Sequence, residues 1–150
     1  MINSNLIENI YKEDRRSIAR AISIIESDNS SASDYLKEIH KQVGNAYRIG
    51  ITGPPGAGKS TITNQLTKYI RKQNKKVGII AVDPTSPFTG GALLGDRVRM
   101  TDIGMDDGVF IRSMATRGSL GGLSKKAIDA ADVLDAAGFD FILLETVGVG

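Results

Sequence analysis

An α/β fold with a mainly parallel sheet covered by helices, preceded by a helical extension, is what this sequence of 150 residues predicts. Three observations carry the prediction. Nearly continuous apolar runs at 77–82, 109–114 and 139–144 alternate with helix-length stripes, the pattern of strands buried on both faces. A glycine-rich turn at 53–60 joins a strand-like segment at 47–52 to a helical stretch from Thr61 onward. Ahead of residue 46, apolar residues recur mostly at three- and four-residue steps, which is helical spacing.

The first helical stripe runs over 6–26, where Leu6, Ile10, Ile18, Ala21, Ile22 and Ile25 share a face. The polar run at 27–31 breaks it, and Ser33 offers an N-cap for a second helix through about Val43, with Leu36, Ile39 and Val43 on a common face. Residues 1–45 therefore read as a helical hairpin in front of a sheet domain at 46–150. Its expected role is packing against the sheet, with partner docking as the alternative, and His40 reads as an ordinary surface or boundary residue. After the glycine-rich turn, Ile62, Leu66, Tyr69 and Ile70 form a helical stripe. The basic run at 71–76 suits the end of that helix, and a buried strand follows at 77–82. Strand, helix and strand of this length make a parallel βαβ unit. A strand at 109–114, a helix at 125–137 and a strand at 139–144 complete the alternation.

The turn is Gly53-Pro54-Pro55-Gly56-Ala57-Gly58-Lys59-Ser60, a complete G-x-x-x-x-G-K-S phosphate loop in the strand-before, helix-after context that such a loop requires. Glycines let successive backbone N–H groups point inward at phosphate oxygens, and the helix beginning near Thr61 adds the positive end of its dipole. Lys59 is placed to reach the β- and γ-phosphates and is the catalytic candidate; the Ser60 hydroxyl takes one Mg2+ position. The motif implies binding of a nucleoside triphosphate.

Further carboxylates and glycines fall where such a fold puts its chemistry. Asp83 ends the second strand, and ligands of open parallel sheets sit beyond the carboxyl ends of strands. It is a candidate to hold a metal-bound or attacking water, and a turn merely capped by Asp83 is the competing reading. Asp96 suits a Mg2+ partner or a helix cap about equally, and Arg97 and Arg99 receive no catalytic role. The fourth strand delivers Glu145, followed by Gly148. Glu145 is a Mg2+ candidate acting through water, and the Gly148 N–H is a candidate donor to the γ-phosphate. Residues 112–124 read as a solvent loop, or else as a loop sensing nucleotide or partner.

Composition narrows the classes further. Hydrophobic residues make up 41% of the chain, enough for a core, and no stretch reaches the roughly 18 apolar residues of a membrane span. The first 30 residues lack signal-peptide character, and Glu8, Glu13 and Asp14 argue against a mitochondrial presequence, so a cytoplasmic protein is expected. With no cysteine and one histidine, thiolate and polyhistidine metal sites are excluded and an oxygen-held ion such as Mg2+ is favoured. A net charge of +2 without a dense basic block speaks against nucleic acid as a partner.

Five blocks in order resemble one family. They are the phosphate loop, Asp83-Pro84-Thr85-Ser86-Pro87, the stretch from Gly90 to Met100, Arg117-Gly118-Ser119-Leu120-Gly121-Gly122-Leu123, and Glu145-Thr146-Val147-Gly148-Val149-Gly150. Together they are similar to the MeaB/ArgK-like GTPases associated with methylmalonyl-CoA mutase. The resemblance implies a G protein of the SIMIBI class that hydrolyses GTP to GDP with Mg2+. It also implies a role in gating adenosylcobalamin delivery to a B12-dependent mutase and protecting that enzyme, commonly as a homodimer. By position it assigns Asp83 and Asp96 to the first switch and Glu145 with Gly148 to the second. A kinase serving lysine/arginine/ornithine transport is the alternative label, and a nucleotide-dependent binding module without turnover is another. Pro54 stands where related ATPases of the class place a signature lysine. No Asn-Lys-x-Asp guanine-recognition sequence occurs, so the choice of guanine rests on the resemblance, and a truncated member with an exposed sheet edge is expected.

Overall fold

The computed structural model describes residues 3–27, 30–54, 58–83, 106–115 and 125–146. Three helices open the chain: α1 (Ser4–Tyr11), α2 (Arg15–Glu26) and α3 (Ala32–Ile39), the last running into a 3-10 turn at His40–Gln42. Then follow β1 (Tyr47–Ile51), α4 (Lys59–Lys72), β2 (Val77–Asp83), β3 (Val109–Ala115), α5 (Lys125–Ala137) and β4 (Phe141–Thr146).

The long first stripe is two helices, not one. Ile10 and Ile18 are eight positions apart, and in that gap Glu13 turns to φ +62 while Asp14 caps α2, accepting from the Ser17 N–H at 3.0 Å and the Ser17 hydroxyl at 2.6 Å. These bonds hold the Asp14 carboxyl below its usual range. At the next boundary, Ser31 and not Ser33 occupies the N-cap position of α3, without a side-chain cap bond. The last strand lies two residues later than its apolar run suggests, at Phe141–Thr146, because Phe139 packs with Phe110 ahead of the strand.

All strand pairs are parallel, and their order is β1-β4-β2-β3. The last strand is therefore an inner one, slotted between the first two, and β1 and β3 lie at the ends of the described sheet. Residue alternation divides the apolar side chains between two faces. Ile80, Val82, Ile142 and Leu144 meet α5, Phe110 and Met114 of β3 join the same core where α2 covers that strand, and α1 to α3 pack against α5. Val77, Ile79, Val109 and Leu143 meet α4 through Ile70 and Leu66. Gly78 faces α5, and a Cβ there would come within 2.8 Å of Leu134 Cδ1, so the missing side chain is what lets α5 press on β2. Among the described residues, no helix is long and apolar enough to cross a membrane.

Asp135 ties α5 to the start of β1. Its carboxylate accepts from the backbone N–H groups of Gly44, Asn45 and Ala46, each at 3.1 Å, and from Arg48 at 3.1 Å. Burial opposes its ionisation, but the bonds from Gly44, Arg48, Asn45 and Ala46 prevail and hold its pKa below the usual carboxylate value. Two residues of the basic run at the end of α4 make similar ties: Arg71 pairs with Asp106 at 2.9 Å and Lys76 with Glu13 at 2.5 Å.

Asp135→Ala should lower stability by about 3 kcal/mol, because three N–H groups and a guanidinium lose one shared acceptor. The native pKa lies below the unfolded value of about 3.9, so the stabilisation from ionised Asp135 is complete above that pH and fades as pH falls through the native value. Asp135→Asn should accordingly flatten the acid limb of stability, as read from urea midpoints between about pH 5 and pH 2.

Candidate functional site

The chain leaves β1 at Ile51 and resumes regular structure at Lys59, with Gly58 at the N-cap of α4. Gly58 has φ +89; a Cβ would meet nothing within 4 Å, so backbone conformation, not crowding, calls for glycine. A left-handed turn of this kind costs other residues about 1–2 kcal/mol. It sits at the start of the helix, whose first N–H groups have no partner within the helix.

The first two residues of α4 project toward the sheet edge. Lys59 is 8% exposed and its ammonium donates back to the Gly53 carbonyl, which places a cation across the mouth of the loop. The Thr63 hydroxyl donates to the Lys59 carbonyl at 2.9 Å and braces the first turn. The Ser60 hydroxyl donates to Glu145 Oε1 at 3.1 Å. Glu145 lies level with Ile51 of β1 and Ala81 of β2 and is 2% exposed. Its other oxygen, Oε2, is buried without a hydrogen-bond partner. A carboxylate so placed is incompletely satisfied by the protein, and with the serine hydroxyl it forms a pair of hard oxygen donors suited to a divalent cation.

Of the residues singled out in the sequence, Gly53, Gly58, Lys59, Ser60 and Glu145 are brought together here. Pro54 and Thr61 are exposed beside them. Asp83 ends β2 opposite Ala115, so its backbone reaches two residues past the level of Glu145. Pro55, Gly56, Ala57, Asp96 and Gly148 lie outside the described residues, as do Arg97, Arg99 and the loop beyond residue 115. The strand-end carboxylate of Glu145 is buried and does not face solvent.

The sequence reading missed the acidic edge of α5. Asp129, Asp132 and Asp135 stand at three-residue steps in a helix that is apolar after its two opening lysines, which was the available signal. Asp132 accepts from Arg48 at 2.6 Å and meets His40 Nε2 at 2.9 Å; Lys125 pairs with Asp129 at 2.8 Å. His40, Asp129 and Asp132 come within ion-binding distance of one another, but these cations already balance the carboxylates. The cluster is an anchor for β1.

A family model described as methylmalonyl-CoA mutase-associated GTPase MeaB matches residues 18–150. The chain belongs to the MeaB family. The protein PH0274 of Pyrococcus horikoshii is 61% identical over 97% of this chain and 46% of its own length. The GTPase ArgK of Escherichia coli is 39% identical over 96% of this chain and 45% of its own. A crystal structure described as a LAO/AO transport system kinase superposes with a TM-score of 0.73 at 28% identity, covering all of this chain and 46% of that one. The chain thus spans slightly under half the length of these relatives. The MeaB resemblance and the parallel phosphate-loop fold read from the sequence both hold.

The half-satisfied carboxylate has a measurable consequence. Glu145→Gln should stabilise the metal-free protein by about 1–2 kcal/mol, read as a higher denaturant midpoint, because a buried charge with one hydrogen bond becomes a neutral group that keeps it. A lower midpoint would show that the protein fully satisfies the carboxylate.

Proposed function

We propose that this MeaB-family chain binds GTP at the loop joining β1 to α4 and hydrolyses it to GDP and phosphate with Mg2+. The observation that carries the reading is the Ser60–Glu145 contact: a phosphate-loop hydroxyl bonded to a buried strand-end carboxylate whose second oxygen has no partner. Lys59, folded over the loop, supplies the ammonium for the β- and γ-phosphates. Ser60, Asp83, Asp96 and Glu145 are the residues that would hold Mg2+. When bound, the ion neutralises charge on the β- and γ-phosphate oxygens.

The protein's own contribution is positioning and electrostatics. Backbone N–H groups of the phosphate loop, which Pro54 and Pro55 cannot supply, and of the first turn of α4 grip the phosphates, and the N-terminus of α4 favours the charge that develops as the γ-phosphoryl group departs. Gly148, beyond β4, serves as the γ-phosphate contact that reports hydrolysis. The substrate's phosphates displace the Gly53 carbonyl as partner of Lys59.

For the larger role, the family description supports action with methylmalonyl-CoA mutase. One relative is named methylmalonic aciduria type A homolog, a mitochondrial mouse protein 35% identical to this chain. On that support the protein is read as a G protein that gates adenosylcobalamin delivery to a B12-dependent mutase and protects the enzyme; its working as a cytoplasmic homodimer is part of the same proposal and rests on the sequence alone. The name of the LAO/AO transport system kinase structure favours a second reading, transfer of the γ-phosphoryl group to an acceptor.

Lys59→Ala should abolish binding of the triphosphate, or weaken it at least 100-fold, in calorimetric titrations of the full chain with GTP and Mg2+. Unchanged binding would refute the site. Titration with ATP tests the base, and γ-labelled nucleotide separates the reactions: label recovered as inorganic phosphate supports hydrolysis, whereas label on an acceptor supports the kinase reading.

A further inference from the structure

On the face of the sheet covered by α4, the row level with Glu145 runs across three strands. Glu145 of β4 pairs in register with Ala81 of β2, and Ala81 pairs with Ser113 of β3. Alternation puts all three on the side that Ile79, Val109 and Leu143 identify as the α4 face. Two of the three end in a buried polar atom without a hydrogen-bond partner, Glu145 Oε2 and Ser113 Oγ. Between them stands a residue with only a methyl group, itself 1% exposed.

Such orphaned atoms are uncommon, because a buried polar group without a partner destabilises the fold unless something satisfies it. An isolated serine hydroxyl in this row has no packing advantage over alanine. Neighbouring strands lie about 4.8 Å apart, so the backbones of β4 and β3 are separated by about 10 Å across Ala81. Two orphaned polar atoms on one face, flanking a methyl group across that span, suit a single bridging water. A larger residue at Ala81 would fill that space.

We propose that Ser113 is a positioning residue for the divalent cation: its hydroxyl and Glu145 Oε2 hold one water between them above Ala81, which fixes the carboxylate in the orientation that serves the metal. The inference rests on the nucleotide and Mg2+ reading above and adds to it a residue on β3, outside the phosphate loop and the strand-end acids. Partners that orient a metal-binding group typically change metal affinity by about 10- to 100-fold when removed.

The test uses the full chain with a fluorescent, non-hydrolysable GTP analogue. Nucleotide affinity is measured first in EDTA, and Mg2+ is then titrated into the loaded protein. Ser113→Ala should leave affinity in EDTA and the thermal midpoint near those of the unsubstituted protein, yet weaken Mg2+ affinity about tenfold. Ser113→Thr, which keeps the hydroxyl, should restore most of it, and Ser113→Val should not. Equal Mg2+ affinity in the Ala and unsubstituted proteins would overturn the proposal while leaving the nucleotide site intact, as would equal loss in the Thr and Val variants. If the unsubstituted protein bound the analogue without any response to Mg2+, the reading of the site itself would fall, and this inference with it.

Discussion

The position of β4 between β1 and β2 is the constraint on which the site depends. An inner strand has its height set by two hydrogen-bonded ladders, so it cannot slip without disturbing both neighbours. Phe141 to Glu145 match Tyr47 to Ile51 on one side, and Phe141 to Thr146 match Val77 to Val82 on the other. Glu145 therefore stands at a fixed level beside the exit of β1, within reach of the first turn of α4. Ile142, Leu143 and Leu144 bury this strand on both faces, and the core they form supports a carboxylate that would not enter such surroundings alone. An incompletely satisfied charge held by an otherwise consistent core is a common mark of a functional position.

The two faces of the sheet divide the work of holding that geometry. On one, α4 lies over the strands and presents Lys59 and Ser60 from its N-terminus. On the other, α5 fixes the entrance to β1 through Asp135 and Arg48, and α1 to α3 pack on α5. The helical layer and the phosphate loop do not need to touch to be connected. A shift of α5 against the sheet would move the turn at 44–46 first and the strand leading to Gly53 next. The same logic makes Gly78 consequential, since α5 can approach β2 closely only where no side chain intervenes.

How much could be read in advance depended on how local each signal was. The phosphate loop needed only eight consecutive residues, and the strands at 77–82 and 109–114 announced themselves by nearly continuous apolar runs; the structure places strands at Val77–Asp83 and Val109–Ala115. The split between α1 and α2 was also local, but Asp14 as a cap competed with a periodicity that bridges the gap, and the periodicity misled. The contacts Ser60–Glu145 and Asp135–Gly44 span 85 and 91 residues, and no spacing rule reaches so far. Ser113 fell within the 112–124 segment read as a solvent or sensing loop, but nothing pointed to it individually, and the structure places it in β3, where a serine is ordinary until its neighbours are known.

The sequence by itself determined the chemistry available: a backbone turn rich in glycine, one lysine and one serine at the start of a helix, and acids at the ends of apolar strands. Those properties belong to short segments and survive in any arrangement of them. Only the tertiary structure decided that the last strand enters between the first two, because strand order follows from which apolar faces and backbone ladders can be buried together, a property of the whole chain. That choice brought Glu145 to Ser60 and set Ser113 across Ala81 from it.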